Sequence, residues 1–278
     1  MSSEVRSGWW EAHARLVATG FANAMRSYFS IRSQAAMKIL GILMEAGVWG
    51  TLGTLIVNPS LQESLKFYMT PDMVTFMLSG LIINRLVEMA QLFQPFFFRS
   101  NYKVYHNRPF NLWIVAFASN LDSTFFWGLT SLVIYILVAT FVFKVHINLL
   151  SGAFWLVILI GALYRLGLNL VTAGWTMVTK SLEDPITWFF SNTSRLFTGE
   201  LIPITVLPPL LRFVSGMHPK TYVQTLGRQT AVGGATVVEI LPRVWTLLFA
   251  STVFLALGIL TFKVCVSRAK REGTLKWG

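Results

Sequence analysis

The chain has 278 residues, of which 54% are hydrophobic and only 13% are charged, and its mean hydropathy is +0.58. A soluble domain carries about 25% charged residues, so this composition excludes an ordinary soluble enzyme, a disordered chain and a fibrous repeat. It indicates a membrane protein. The net charge of +11 fits segments lying against anionic lipid headgroups better than it fits nucleic acid binding. The single cysteine, Cys265, excludes an intrachain disulfide and a cysteine-based metal site.

The first 33 residues are predicted to form an amphipathic helix in the membrane interface. They contain no uninterrupted apolar stretch that could act as a signal peptide. Trp9 and Trp10 begin an apolar face that recurs at helical spacing. Tryptophan at headgroup level, with arginine on the opposite face, is typical of such a helix. The arginines that punctuate this segment are Arg6, Arg15, Arg26 and Arg32.

Five apolar stretches are long enough to cross a bilayer core, which needs roughly 20 residues of helix. They are Ala35–Val57, Met73–Phe93, Leu121–Phe143, Leu149–Val178 and Val244–Val266. A weaker segment, 186–207, raises the number of spans to six. Six spans with both termini in the cytoplasm place most Lys and Arg residues on the inner side, whereas five would separate the two basic tails. We therefore predict six spans within residues 34–266 and a basic cytoplasmic tail at 267–278.

The connection between the fifth and sixth spans, near residues 203–242, contains several prolines yet is half apolar. A loop facing only water would not need these apolar side chains, so the segment is predicted to form re-entrant helices covered by protein. The whole chain, 1–278, is thus predicted to be one all-α polytopic transmembrane domain.

The motifs of common enzymes are absent from the sequence. No phosphate-binding Gly-x-x-x-x-Gly-Lys-Ser/Thr loop and no Gly-x-Ser-x-Gly elbow occur. The four histidines, at 13, 106, 146 and 218, form no His-x-x-x-His pair. We therefore expect no catalysis by this polypeptide alone, and no metal or cofactor bound by it.

Six ionisable residues fall well inside the predicted spans, away from the span ends. A charge at the bilayer centre costs about 2.5–3.5 kcal/mol on insertion scales, so each should face protein or water. Two interpretations remain open: structural ion pairs (Arg85 with Glu88, and Arg195 or Arg165 with Glu45 or Glu200), or the polar lining of a transport path. The six residues are Glu45, Arg85, Glu88, Arg165, Arg195 and Glu200.

Two further basic regions lie outside the predicted spans. The linker 94–120 interleaves cations with aromatic residues before a proline, which suits either a short helix docking on another protein or a loop resting on lipid headgroups. In the long outer connection, Lys220, Arg228 and Arg243 either attract anionic substrates or are simply solvated. The linker residues in question are Tyr102, Lys103, Tyr105, His106, Arg108, Pro109 and Phe110.

The order of these features resembles the membrane subunit of type-two ABC exporters (ABC-2 permeases) over nearly the whole chain. The most specific match runs Phe-Thr-Gly-Glu-Leu-Ile-Pro at 197–203, then Leu-Pro at 207–208, then Pro-Lys-Thr-Tyr at 219–222. An interfacial helix before the first span, and a cytoplasmic helix with a proline between spans two and three, also match. Residues 101–105 depart from the family's acidic run and Gly-Thr pair, which leaves the subfamily and the substrate open.

The resemblance implies that separate subunits carry out substrate transport and ATP hydrolysis. Two copies of the permease, identical or paralogous, would form a conduit in the cytoplasmic membrane, and two cytoplasmic ATPase subunits would bind ATP and Mg. A coupling helix near 101–113 would contact the ATPase, with a second contact at Lys180–Pro185. The first, second and fifth spans would line the path, with the six charged residues as candidate contacts. The outer gate would contain Pro203, Pro208, Pro209 and Pro219.

The expected cargo is an amphipathic, lipid-like, drug, peptide or glycan molecule moved outward. An ion-coupled secondary transporter or channel is the first alternative, and a membrane-embedded enzyme is the second. Inverted repeats would favour the secondary transporter, and the sequence shows none. The histidine pattern argues against the enzyme.

Overall fold

The computed structural model describes residues 32–56, 59–89, 126–179, 194–195 and 197–272, with six separate residues between Glu11 and Ala22. Every regular element in these stretches is helical, in agreement with the predicted all-α class. The helices are α1 (Arg32–Leu55), α2 (Pro59–Phe67), α3 (Met73–Glu88), α4 (Phe126–Leu137, continued by a π-helical turn Val138–Val142), α5 (Gly152–Thr179), α6 (Pro209–Met217), α7 (Pro219–Ala231) and α8 (Val237–Arg271), with a 3-10 turn at Ile204–Val206.

Three helices in the described stretches are long and apolar enough to cross a membrane: Ala35–Leu55, Gly152–Thr176 and Val237–Ala269. They coincide with the first, fourth and sixth predicted spans. Length and composition therefore indicate a membrane protein. The helix Trp127–Val142 is apolar but shorter. Of the second predicted span, the structure describes the α3 part.

Helix α3 lies at the centre of the fold. Asp72 caps its first turn by accepting a hydrogen bond from the Thr75 backbone N–H at 2.7 Å. Apart from Val74, Arg85 and Glu88, all of its residues are buried, against α1, α4, α5 and α7. A helix that is apolar on nearly every side must be covered on nearly every side, so the surrounding helices fix the position of its two charged residues.

Helices α5 and α8 form the most extensive helix pair in the structure, and they cross at two glycines. A Cβ on Gly258 would lie 2.3 Å from the Gly167 carbonyl oxygen, and a Cβ on Gly167 would lie 2.5 Å from the Phe254 carbonyl oxygen. Small residues allow helix backbones in membrane proteins to approach this closely. The crossing therefore depends on the absence of side chains at both positions.

Valine at Gly258 is expected to push the two helices apart. Because the nearest atoms are backbone and cannot rotate away, we expect the free energy of unfolding to fall by about 1–3 kcal/mol. Thermal unfolding of the purified variant in detergent measures this. Valine at Gly41, where a side chain would meet nothing within 4 Å, is the matched control. Equal melting temperatures for the two variants would show that this crossing is not tight.

The predicted fifth span is wrong over its last ten residues. Residues 194, 195 and 197 are helical, but Thr198–Pro203 are not. The helix ends because Gly199 takes a left-handed backbone with φ +75°, a common way for a helix to terminate. The segment therefore turns away and Glu200 lies outside any helix.

The predicted boundary of the last span is also wrong, because α8 begins at Val237 and includes Pro242. Glu239 caps the first turn of α8, because its carboxylate accepts from the Thr236 backbone N–H at 2.7 Å and from the Thr236 hydroxyl at 3.0 Å. This cap fixes the helix start five residues before the proline. Between the 197–207 segment and α8, the predicted short helices are present as α6 and α7.

Several predicted segments lie largely or wholly outside the described residues. Of the N-terminal interfacial helix, the described residues from Glu11 to Ala22 are helical and exposed. The coupling helix near 101–113, including all of its named ATPase contacts, lies outside the described residues, as do 180–185 and the tail from 273. These assignments stay predictions.

Candidate functional site

Charged side chains from three parts of the chain meet beside the start of α7. Lys220 Nζ lies 2.7 Å from Glu200 Oε2 and donates a hydrogen bond to Ser194 Oγ at 2.9 Å. Arg195 Nε lies 3.9 Å from Glu200 Oε1, and its Nη1 lies 3.3 Å from Glu45 Oε1 on α1. Glu200 has no exposed side-chain surface, Lys220 is 11% exposed and Arg195 is 42% exposed. Glu200 thus lies between two cations, and Arg195 between two carboxylates.

The chain of contacts continues from α1 to α3 through a tyrosine. Tyr135 on α4 donates its hydroxyl to Glu45 Oε2 at 2.6 Å, and its ring centroid lies 5.9 Å from the Arg85 guanidinium carbon. Arg85 Nη1 in turn lies 3.1 Å from Glu88 Oε2. The other oxygen of Glu88 accepts from Asn84 Nδ2 at 3.0 Å. Tyr135 therefore connects two ion pairs that lie on different helices.

Arg165 on α5 joins the same group, since both it and Lys220 act electrostatically on the Glu88 carboxylate. The six charged residues predicted inside the spans are thus linked with one another and with Tyr135 and Lys220, which were not predicted to join them. We call this set the polar network: Glu45, Arg85, Glu88, Tyr135, Arg165, Arg195, Glu200 and Lys220.

A fully buried arginine on α7 fixes the backbone next to the polar network. Arg228 donates from Nη2 to the Glu200 carbonyl oxygen at 2.6 Å and from Nε to the Phe76 carbonyl oxygen at 3.1 Å. Its guanidinium carbon lies 3.7 Å from the Phe76 ring centroid, a cation–π distance. Gly80 makes room for this contact, because a Cβ there would lie 2.3 Å from Arg228 Nη2. Arg228 thereby ties the 197–207 segment to α3.

Two further side chains hold the 197–207 segment. The Tyr68 hydroxyl accepts from the Ile204 backbone N–H at 2.9 Å, and the Ser215 hydroxyl donates to the Phe197 carbonyl oxygen. Tyr68 is fully buried and packs edge-on against Phe76. The 197–207 segment is therefore hydrogen-bonded by side chains from α6, from α7 and from the residue that follows α2.

The four prolines predicted as the outer gate mark the starts of short elements in this region. Pro203 precedes the 3-10 turn, Pro208 caps α6, and Pro209 and Pro219 are the first residues of α6 and α7. Proline suits a first helical position because the backbone N–H it lacks would have no partner there. Their placement explains why this segment is divided into short helices; a gating role stays a prediction.

His218, between α6 and α7, caps α7. Its Nδ1 accepts from the Lys220 backbone N–H at 3.2 Å, and its Nε2 lies 3.3 Å from the Tyr164 hydroxyl on α5. Burial, together with the nearby Lys220 charge, lowers the pKa of His218 to about 3. The ring is therefore neutral at physiological pH, with its proton on Nε2, and acts as a structural hydrogen-bonding group.

The predicted ion pairs are present, since Arg85 contacts Glu88 and Arg195 contacts both Glu45 and Glu200. Whether they also line a path stays a prediction. The suggestion that Lys220 and Arg228 are solvated outer-loop cations is wrong, because Lys220 pairs with Glu200 and Arg228 is fully buried. Sequence reasoning missed their role because their partner, Glu200, lies 20 positions from Lys220 and 28 positions from Arg228, and no local pattern relates these residues.

Within the described stretches, no group of three or more His, Cys, Asp or Glu residues could hold a metal ion. The carboxylates of the polar network are each occupied by cations or by the Tyr135 hydroxyl. The chemistry that this arrangement supports is electrostatic binding and the exchange of ion pairs.

Glutamine at Glu88 is expected to lower the stability of the protein, because Arg85 would lose its carboxylate partner. We expect a fall of about 1–3 kcal/mol in the free energy of unfolding, measured by thermal unfolding together with membrane yield. Glutamine at Glu63, an exposed residue on α2, is the control. Altered transport at normal yield would favour a path-lining role instead, and unchanged yield with unchanged transport would refute both roles.

Comparison with protein-family models finds no match for this chain, and comparison with curated proteins finds none either. The likeness to type-two ABC exporters therefore rests on the motifs quoted above.

Proposed function

We propose that this chain is the membrane-spanning permease subunit of an ATP-driven exporter of the ABC-2 type. The observation that carries the proposal is the polar network, which connects α1, α3, α4 and α7 within a chain of apolar helices. Charged side chains at membrane depth are costly and typically mark transport pathways. Two copies, identical or paralogous, would move an amphipathic, lipid-like, drug, peptide or glycan substrate across the cytoplasmic membrane.

The depth of the network supports this proposal. Glu45 lies at the middle of the apolar helix Ala35–Leu55, about 15 Å from either end at 1.5 Å per residue. It contacts Arg195, whose side chain is 42% exposed. A half-exposed ion pair at the midpoint of a spanning helix would be unstable against lipid tails. It is accounted for if this side of α1 faces an aqueous or substrate-filled path.

The 197–207 segment and the helices α6 and α7 support a re-entrant arrangement at the outer side. In lipid, non-helical backbone is tolerated only where protein or a polar cavity satisfies it, and here Arg228 and Tyr68 do so. In the proposed permease this segment forms the outer gate, and the polar network lies directly beneath it. Six spans and two cytoplasmic termini belong to the same proposal.

The energy source would be a separate ATPase, because the sequence contains no phosphate-binding loop. The first test is whether an adjacent reading frame encodes a protein with a phosphate-binding loop, and the second is whether that protein co-purifies with this chain. Replacing Arg108 by Glu and Pro109 by Gly together should abolish association if residues 101–113 are the coupling helix. Arg99→Glu, in the same linker but outside that helix, is the matched control and should bind as the wild type does. Retained binding by the double variant would contradict the coupling-helix assignment, and ATP hydrolysis by the purified chain alone would contradict the proposed function.

An ion-coupled transporter is the second candidate, and the Tyr135–Glu45–Arg195 contacts favour it, since a hydroxyl and a carboxylate in line can pass a proton. Reconstitution in liposomes separates the two candidates. Transport that requires ATP and the ATPase subunit supports the exporter, whereas transport driven by a proton gradient without ATP supports the alternative.

A further inference from the structure

Positive charge exceeds negative charge around the polar network. Lys220, Arg195 and Arg228 all act on Glu200. The only other carboxylate that contacts these three cations within the described residues is Glu45. Arg228 itself donates only to backbone carbonyl oxygens. Over the whole polar network and Arg228, five cations (Arg85, Arg165, Arg195, Lys220 and Arg228) therefore share three carboxylates (Glu45, Glu88 and Glu200). In a region of low dielectric, such an uncompensated positive charge favours a counter-anion.

Arg195 is the cation in this group that is held most loosely. Its contacts with Glu45 and Glu200 are 3.3 and 3.9 Å long, whereas a charge-assisted N–H···O bond measures about 2.7–2.9 Å. Glu45 also accepts from Tyr135 at 2.6 Å, and Glu200 from Lys220 at 2.7 Å. Both carboxylates thus lie closer to another donor than to Arg195. The N–H groups of the Arg195 guanidinium therefore remain available to a ligand on the exposed side of the residue.

The helix beside Arg195 presents an open apolar face. On α1, the positions next to Glu45 on the same face are Gly41 and Val48. A side chain at Gly41 would meet nothing within 4 Å, and Val48 is exposed. Exposed apolar residues continue along the helix in both directions at helical spacing: Met37, Leu40, Met44, Leu52 and Leu55. A cationic group therefore lies beside a strip that can accept a hydrocarbon chain.

We propose that Arg195 binds the anionic headgroup, a phosphate or a carboxylate, of an amphipathic substrate whose alkyl tail lies along the exposed face of α1. This inference rests on the proposed function, for which it names the substrate class. The planar guanidinium suits bidentate binding of either headgroup. Binding of the anion replaces the long contact with Glu45 and neutralises the excess positive charge.

The depth of Arg195 distinguishes such a substrate from a structural lipid. A resident bilayer lipid keeps its headgroup about 15 Å from the mid-plane, at the edge of a hydrocarbon core about 30 Å thick. Glu45, which contacts Arg195, lies midway along a membrane-spanning helix. An anionic headgroup that reaches Arg195 has therefore left its position in either leaflet.

The test measures binding of dodecyl phosphate to the purified full chain in nanodiscs of zwitterionic phosphatidylcholine, with empty nanodiscs as the baseline. Wild-type protein should bind it saturably. Arg195→Gln should weaken binding about tenfold or more, because a charge-assisted contact is lost. Glu45→Gln should tighten binding several-fold, because it removes the carboxylate that competes for Arg195. Lys66→Gln, an equal charge change at an exposed position on α2, should leave affinity unchanged.

Four results would overturn the proposal. The first is that dodecyl phosphate does not bind saturably, and the second is that Lys66→Gln and Arg195→Gln lose affinity equally. The third is that dodecanol, which lacks the anion, binds as tightly as dodecyl phosphate. The fourth is that inorganic phosphate, which lacks the tail, binds as tightly as dodecyl phosphate. If Arg195→Gln does not fold, Glu45→Gln is the deciding variant, and unchanged or weaker binding by it refutes the proposal.

The anion site and the exporter function are tested separately, because the binding assay contains no ATPase and no ATP. Anion binding with no ATP-driven transport would refute the exporter and keep the anion site. ATP-driven transport without anion binding would support the exporter and refute the anion site.

Discussion

Glutamine at Glu200 is expected to lower the free energy of unfolding by about 3–5 kcal/mol, the range for removing one partner of a buried ion pair. The Glu200 carboxylate is fully buried, 2.7 Å from Lys220 Nζ and 3.9 Å from Arg195 Nε. Glutamine keeps the shape of the side chain but leaves the Lys220 ammonium, which is 11% exposed, without a negative partner. Thermal and denaturant unfolding in detergent micelles, with membrane yield as a second readout, measure the loss.

Two further variants show whether the loss comes from the buried pair. Glu272→Gln makes the same chemical change in the exposed Arg268–Glu272 pair, where solvent screens the interaction, so it should have little effect. Lys220→Met in the Glu200→Gln background removes the orphaned charge and should restore part of the stability. Equal effects of Glu200→Gln and Glu272→Gln would refute the structural role of the buried carboxylate.

The features that the sequence predicted well are those set by local pattern. The apolar stretches that became α1, α5 and α8 are continuous along the chain, so hydropathy alone locates them. The Arg85–Glu88 pair was also predictable, because residues three apart lie on one face of a helix. The presence of short helices between 208 and 242 followed from prolines placed among apolar residues.

The features that the sequence did not predict depend on contacts between segments that are distant along the chain. Tyr135 is 90 positions from Glu45, and no periodicity relates the two. Arg228 is 28 positions from Glu200. It was interpreted as a cation that either attracts anionic substrates or is solvated, since no local pattern shows that it is buried. Glu200 was placed in a span because the left-handed turn at Gly199 has no signature beyond the glycine itself. Burial of such groups follows from tertiary packing, which decides where their partners are.

Methionine at Arg228 is expected to release the 197–207 segment from the core. The Glu200 carbonyl oxygen would lose its 2.6 Å donor, and α7 would lose its contact with the Phe76 ring. An unsatisfied buried acceptor costs about 1–3 kcal/mol, and a desolvated cation–π contact contributes up to about 2 kcal/mol. Lysine should not restore the wild-type state, since one ammonium cannot reproduce the planar fork that reaches both the Phe76 and Glu200 carbonyls.

Cysteine labelling separates a local release of this segment from general instability. Cys265 is the chain's only cysteine, so Cys265→Ala leaves a background in which Leu201→Cys, at a position that is 3% exposed, is the single reactive thiol. In this background Arg228→Met and Arg228→Lys should both speed labelling at position 201, below the melting temperature of either protein. If the thiol at position 201 were labelled as slowly in these variants as in the protein with Arg228, the guanidinium would not hold the segment. The backbone beside the polar network would then be held by Tyr68 and Ser215, whose hydroxyls bond to Ile204 and Phe197.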